Sequence, residues 1–300
     1  MGQIETHRLR TRAAFGDTWL AILLLVPLIV TIFGVIGLPF VNAILQSFTD
    51  KRVGLPGHFV GLLNYRELVR DPAFWIAVRN SAAYAVVAVA LKLIAGFVMA
   101  LVLDKPLPGR PLWRALILLP WAIPALVAAL TWRWMYSDTN GVINSILIRL
   151  GLINHPIPWL AALSIALISV IMVNVWKGVP FFTFTLLGGL QSIDRQLYEA
   201  AAIDGATGWQ QTRHVTIPGI LPVTLTATLL SLIWTFNDFQ TVFVLTGGGP
   251  GHATTIVATL TYEYAFWNLE LGKAVAVSVA VAPVFIIGIL ALSQLISNGD

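Results

Sequence analysis

Few residues of this 300-residue chain are of types that could perform chemistry, and their spacing argues against catalysis. The absence of Cys removes disulfides, thiolate metal sites and cysteine nucleophiles together. The five histidines, His7, His58, His155, His214 and His252, lacking the short intervals of a ligand set, give no expectation of a metal site. No Gly-x-Ser-x-Gly elbow and no paired-carboxylate pattern occurs, so no catalytic residue is assigned. The run Gly247, Gly248, Gly249, Pro250, Gly251 resembles a phosphate cradle in composition only, because a P-loop needs Gly-Lys-Ser/Thr opening a helix. It reads as an external loop, either a plain turn or a scoop that touches a partner. Lys92 is different. It sits near the middle of an apolar stretch, where a cation costs about 3 kcal/mol on insertion scales. Either it faces a wet cavity, or helix carbonyls or Asp238 of a neighbouring span hold it.

The elements that must position these residues are set by composition. Hydrophobic residues make up 57% of the chain and charged ones 11%, against roughly 25% charged in soluble domains. Mean hydropathy is +0.82. The bilayer is therefore the relevant solvent, and the formal charge of +4 is too small an excess to indicate nucleic acid. About 20 apolar residues cross the hydrocarbon core. On that measure the chain reads as an all-α membrane protein with spans at 19–44, 81–103, 112–136, 159–187, 219–239 and 272–296, the fourth kinked or broken near Pro180. A tail at 1–18 precedes them. The apolar run after Arg8, Arg10 and Arg12 is too long for a signal peptide and is expected to be retained. Loops are expected at 45–79 and 240–271, and a polar excursion at 189–218. Loop charges leave the orientation open, since either topology puts eight Lys and Arg on each side.

The excursion carries the clearest local pattern. Asp194 suits the N-cap of a short helix through Ala202, and Gly205 suits its left-handed end. A second short helix is expected over about 207–215, before Pro218 and Pro222 restart the chain into the fifth span. Two small helices meeting at a glycine would make a knob, thin-surfaced at Ala200, Ala201 and Ala202, that can enter a groove on a partner.

Glu199-Ala200-Ala201, Asp204-Gly205-Ala206 and then Val215, Ile217 and Pro218 resemble the EAA loop of bacterial ABC-importer permeases. Val215 and Ile217 stand where that pattern has Ile and Leu, and Asp194 stands where relatives usually carry proline. Other stretches resemble the sugar-importing branch in the same order: Leu119–Pro124, Asn174–Phe182, Phe236–Phe239 and Leu245–Pro250. Together they cover roughly residues 80–290. The resemblance implies a type I importer permease fold of six transmembrane helices with a cytoplasmic coupling helix. It places the chain in a bacterial inner membrane, with both termini cytoplasmic. It implies that Glu199, Ala200, Ala201, Asp204, Gly205 and Ala206 dock on a cytoplasmic ABC ATPase present in two copies. Without the resemblance, Glu199 reads as a solvated surface carboxylate. The chain itself would bind no cofactor, ATP and Mg being used by the ATPases. The other implied partners are a second, homologous permease and an extracytoplasmic solute-binding lipoprotein.

Likeness to the family's pocket-lining helices nominates Trp121 and Ala125, Asn174, Gly178 and Phe181, and Ser231, Trp234 and Thr235 as the solute path. The i, i+4 spacings put Trp121 with Ala125, Asn174 with Gly178, and Ser231 with Thr235 on shared helix faces. Taken singly, these aromatic residues would serve equally as packing or lipid-facing groups. The implied solute is a sugar or sugar derivative, a di- or oligosaccharide or glycerol-phosphate; a peptide or amino-acid permease is the alternative within the family. An ion-coupled transporter would call for intramembrane carboxylates and inverted repeats, and only Asp238, at the edge of the fifth span, comes near.

Overall fold

The computed structural model describes residues 19–20 and 22–297. The tail expected over 1–18 lies outside the described residues. Among them the regular structure is helical, apart from one isolated bridge between Thr49 and Phe59.

Five helices are long and apolar enough to cross a membrane, and six spans result if one bent pair is counted as a span. The first, α1 (Ile22–Ser47), is exposed along its apolar length and meets the rest of the chain near its end. There Asn64 Nδ2 donates to the carbonyls of Ser47 and Thr49, at 2.8 and 2.9 Å. Asn64 belongs to α2 (Leu63–Arg70), so the loop expected at 45–79 contains a helix. It also contains the first turns of α3 (Pro72–Asp104), which begins before the expected 81 because Asp71 caps Ala73 N at 2.9 Å and Pro72 is preset for a first helical turn.

The helix α3 is the centre of the bundle. Its buried residues include Ala85, Ala88, Gly96 and Ala100, small residues three to eight apart that let another helix approach closely. That helix is α7 (Ala166–Ser192), whose Phe182, Leu186 and Leu190 pack with Val89, Ala100 and Leu103.

The third expected span, 112–136, is two helices, α4 (Arg110–Ala122) and α5 (Ala125–Met135), bent by 92° at their junction. The cause is local. A proline disfavours the α conformation in the residue before it, and Ile123, ahead of Pro124, is extended at φ −72°, ψ 131°. After the short α6 (Val142–Arg149), residues 159–165 form turns rather than the start of a span. The helix then begins at Ala166 and runs without interruption through Pro180, where a kink or break was expected.

The knob helix α8 (Arg195–Ile203) follows. The second helix expected over 207–215 does not stop at the prolines. It is continuous with the fifth span as α9 (Gly208–Phe236), through a π-helical stretch at Thr212–Thr216 that ends just before Pro218. Residues 240–271 also differ from a plain loop, holding α10 (Phe239–Leu245) and α11 (Val257–Tyr262) before the last helix, α12 (Leu271–Ser297). Leu260, Tyr264 and Val257 pack there against Ala274, Val277 and Val281 of α12.

Candidate functional site

The eight residues nominated as the solute path all line one cavity of about 210 Å³. Trp121 and Ala125 enter from the two sides of the α4/α5 break. Asn174, Gly178 and Phe181 come from one face of α7, and Ser231, Trp234 and Thr235 from one face of α9. Trp121 and Trp234 are exposed, and Phe181 meets Trp234 edge to face with ring centroids 5.1 Å apart. The cavity thus offers aromatic rings beside buried hydroxyls, those of Ser231 and Thr235.

Four further residues complete the lining: Lys92, Lys177, Asp238 and Thr241. Lys92 is 3% exposed. Its Nζ donates to Thr235 Oγ1 at 2.8 Å, and Thr235 Oγ1 donates in turn to the Ser231 carbonyl at 2.7 Å. Of the two readings of Lys92, the cavity position holds, and its polar partner is a hydroxyl of α9. Lys177 donates to the Ile123 carbonyl at 2.7 Å. That carbonyl lies at the break between α4 and α5, so one lysine satisfies backbone that the bend releases.

Asp238 caps α10 by accepting from Thr241 N at 3.2 Å. Its Oδ2 also accepts from Tyr84 Oη at 2.8 Å and from Asn174 Nδ2 at 2.7 Å. Because an ionised carboxylate only accepts, the Asn174 amide is fixed with its nitrogen toward Asp238. Its Oδ1 is left buried without a partner. Tyr84 is fully buried, which makes this bond a tie between α3 and the α9–α10 junction.

Spacing held a signal for the missed Lys177. Positions 174, 177, 178 and 181 share a helix face, so nominating three of them implied the fourth. Asp238 carried the same signal, lying four residues after Trp234 and seven after Ser231 within the expected fifth span, whereas Thr241 carried none, because the turn that brings it back to the cavity lies beyond that span.

The residues quoted for coupling form a separate, exposed feature. Asp194 Oδ1 accepts from Gln196 N at 2.9 Å and starts α8. Gly205 ends it at φ +76°, a left-handed geometry in which Ala206 N reaches the Ala201 carbonyl at 2.9 Å. Thr207 and Gln210 then form a capping box that opens α9. The knob is tied to the bundle by the Tyr198 and Thr216 hydroxyls, 2.9 Å apart. Glu199 is exposed, as are three large apolar side chains around it: Leu197 at 54%, Ile203 at 86% and Trp209 at 70%.

The glycine run is no phosphate cradle. Thr254 and Thr255 hydroxyls donate to the carbonyls of Gly249 and Gly248 at 2.7 and 2.9 Å. Asn80 of α3 donates to the carbonyls of His252, Ala253 and Thr255, each at 3.1 Å, so the loop is pinned to the bundle. Among the described residues no group of His, Asp and Glu is placed to hold a metal ion. A larger groove, of about 430 Å³ and lined by residues such as Phe236, Tyr262 and Phe285, contains no ionised side chain.

Residues 92–297 match the family described as the binding-protein-dependent transport system inner membrane component. The chain belongs to this family. A probable ABC transporter permease of Sinorhizobium fredii is 38% identical over 262 residues, covering 86% of this chain and 82% of that one. The trehalose/maltose transport system permease of Thermococcus litoralis is 36% identical over 275 residues, covering 91% and 92%. In fold the permease is similar to a chain of a bacterial ABC transporter involved in the import of the acidic polysaccharide alginate. The TM-score is 0.82 at 21% identity, over 96% of this chain and 99% of that chain. The permease is thus an ABC-transporter membrane component with the type I importer fold, and the cavity and the knob are features of that fold in this sequence.

Proposed function

We propose that this permease forms the solute path of an ATP-driven importer of sugars or sugar derivatives, and that the cavity between α4, α5, α7 and α9 is the transient solute site. The observation that carries the reading is the lining itself. Sugars present apolar ring faces that stack and hydroxyls that pair, and here the rings of Trp121, Phe181 and Trp234 stand beside Asn174, Ser231 and Thr235. The trehalose/maltose system named for the Thermococcus relative supports the same class of solute.

Energy enters through the knob of residues 194–211. Two cytoplasmic ATPase subunits close on ATP and carry the docked knob with them, with Glu199 pairing with a cationic group in the ATPase cleft. Because α8 follows α7 directly and α9 grows out of the knob without a break, displacement of the knob tilts both helices that line the cavity. Access then alternates as a two-state motion biased by nucleotide. In this reading the knob and both termini are cytoplasmic, a second permease completes the membrane unit, and a solute-binding lipoprotein delivers solute from the other face.

Co-purification from native membranes with mass spectrometry tests the assembly. An ATPase, a permease mate and a solute-binding protein should accompany the chain, and recovery of the chain alone would refute it. Uptake of radiolabelled sugars, lost on deletion of the gene, tests the solute class.

A further inference from the structure

We infer that the solute carries an anionic oxygen group, a carboxylate, phosphate or sulfonate, which Lys92 and Lys177 receive in the cavity; this rests on the reading of the cavity as the solute site. The charge inventory leads there. Lys92 on α3 and Lys177 on α7 face the cavity, and the carboxylate that lines it is Asp238 at the start of α10; α4, α5 and α9 contribute no ionisable lining group. Two cations against one anion leave an excess of one positive charge.

Asp238 does not neutralise either lysine at contact range. Among the described residues no carboxylate oxygen lies within 4.0 Å of Lys92 or Lys177. The carboxylate is occupied instead by neutral donors, the Tyr84 hydroxyl, the Asn174 amide and the Thr241 backbone. Each ammonium has three N–H groups. Lys92 uses one on Thr235 and Lys177 one on the Ile123 carbonyl. Both are left with unused donors, and between them one positive charge has no counter-charge in the cavity.

A desolvated cation without a counter-charge is costly. A neutral sugar would satisfy the spare N–H groups but not the charge. An oxyanion on a polyhydroxyl frame satisfies both, with charge-assisted hydrogen bonds about twice as strong as neutral ones. Its ring and hydroxyls would still meet Trp121, Trp234 and Ser231.

The test uses pairs of sugars that differ in one group. The purified permease–ATPase complex in lipid nanodiscs, without added soluble binding protein, is titrated with maltobionate against maltitol and with lactobionate against lactitol. In each pair a carboxylate replaces a hydroxymethyl group. Glycerol 3-phosphate against glycerol adds a phosphate arm. Binding is read from the ligand dependence of the thermal unfolding midpoint. The acid should bind about tenfold more tightly than its neutral counterpart in at least one pair, the size expected of one added charge-assisted contact. That advantage should vanish in Lys177→Met and in Lys92→Met. If Lys92→Met does not assemble, Lys177→Met alone, at a half-buried position, decides. Neutral members binding as tightly as the acids would overturn the proposal and leave the sugar reading standing. An acid preference that survives both substitutions would overturn the assignment to these lysines. If neither kind of sugar bound, the reading of the cavity would fall and the inference with it.

Discussion

The side chain of Lys92 occupies the space that a side chain at position 178 would need. A Cβ on Gly178 would fall 2.3 Å from Lys92 Cδ, well inside contact distance. The glycine in α7 is therefore what lets a lysine of α3 lie flat across the helix interface and reach Thr235 on α9. Gly178→Ala should displace Lys92 and break its bond to Thr235, with an overpacking cost of about 1–3 kcal/mol. The expected outcome is normal membrane insertion, a lower unfolding midpoint for the purified complex and reduced uptake. Combining it with Lys92→Ala, which vacates the space, should recover part of the lost stability. If the double variant is no more stable than Gly178→Ala alone, the close packing of these two residues is not the cause.

Asp238 gathers donors from α3, α7 and α10, so its removal should affect three elements at once. Asp238→Ala leaves the buried Tyr84 hydroxyl without an acceptor, at a cost of about 1–3 kcal/mol. Tyr84→Phe removes the donor as well as the bond and should cost less. In a double-mutant cycle on unfolding midpoints, Tyr84→Phe should therefore lower stability in the wild-type background and recover part of the lost stability in the Asp238→Ala background. Equal effects in both backgrounds would mean that the bond contributes nothing to stability.

Much of this arrangement was legible in the sequence, for a physical reason. Spans announce themselves by apolar length, because the bilayer tolerates little else, and Lys92 announces itself by violating that rule. Motif likeness and i, i+4 spacing on α7 and α9 nominated residues that do share a cavity. Prolines were the least legible feature. Pro124 and Pro180 look alike in the sequence, yet the chain bends by 92° beside the first and stays helical without interruption through the second. Part of the difference is Lys177, which caps the Ile123 carbonyl from another helix, a tertiary partner that no local pattern reveals. Thr241 escaped for a similar reason, since only the turn from α9 into α10 returns it to the cavity.

The loop at 246–256 is held by a single side chain at three points. Asn80→Leu should release the carbonyls of His252, Ala253 and Thr255 together while keeping the same branched arrangement of side-chain heavy atoms. The loss should be local. Amide hydrogen exchange should speed up in residues 246–256, about tenfold or more for each 1.4 kcal/mol of lost local stability. Exchange in α7 should stay unchanged. Unchanged protection in the loop would show that the hydroxyls of Thr254 and Thr255 suffice to hold it.

The knob makes a prediction that separates folding from coupling. Glu199 is exposed and forms no side-chain hydrogen bond or ion pair among the described residues, so Glu199→Lys should leave the permease as stable as before. Gly205 is different, because its φ of +76° lies outside the range near −65° that proline permits. Gly205→Pro should therefore disrupt the end of α8 and the Ala206–Ala201 hydrogen bond while leaving the distant membrane helices intact. Both variants should insert into the membrane normally and abolish uptake. On the proposed docking they should differ in assembly: Glu199→Lys would replace an attraction by a repulsion at the ATPase cleft, whereas Gly205→Pro would change the shape of the plug. Pull-down of the ATPase at low and high salt reads this difference, since screening weakens exposed charge interactions. Association of Glu199→Lys should recover at high salt and that of Gly205→Pro should not. Normal uptake by either variant, with the ATPase bound, would show that the knob does not transmit the motion.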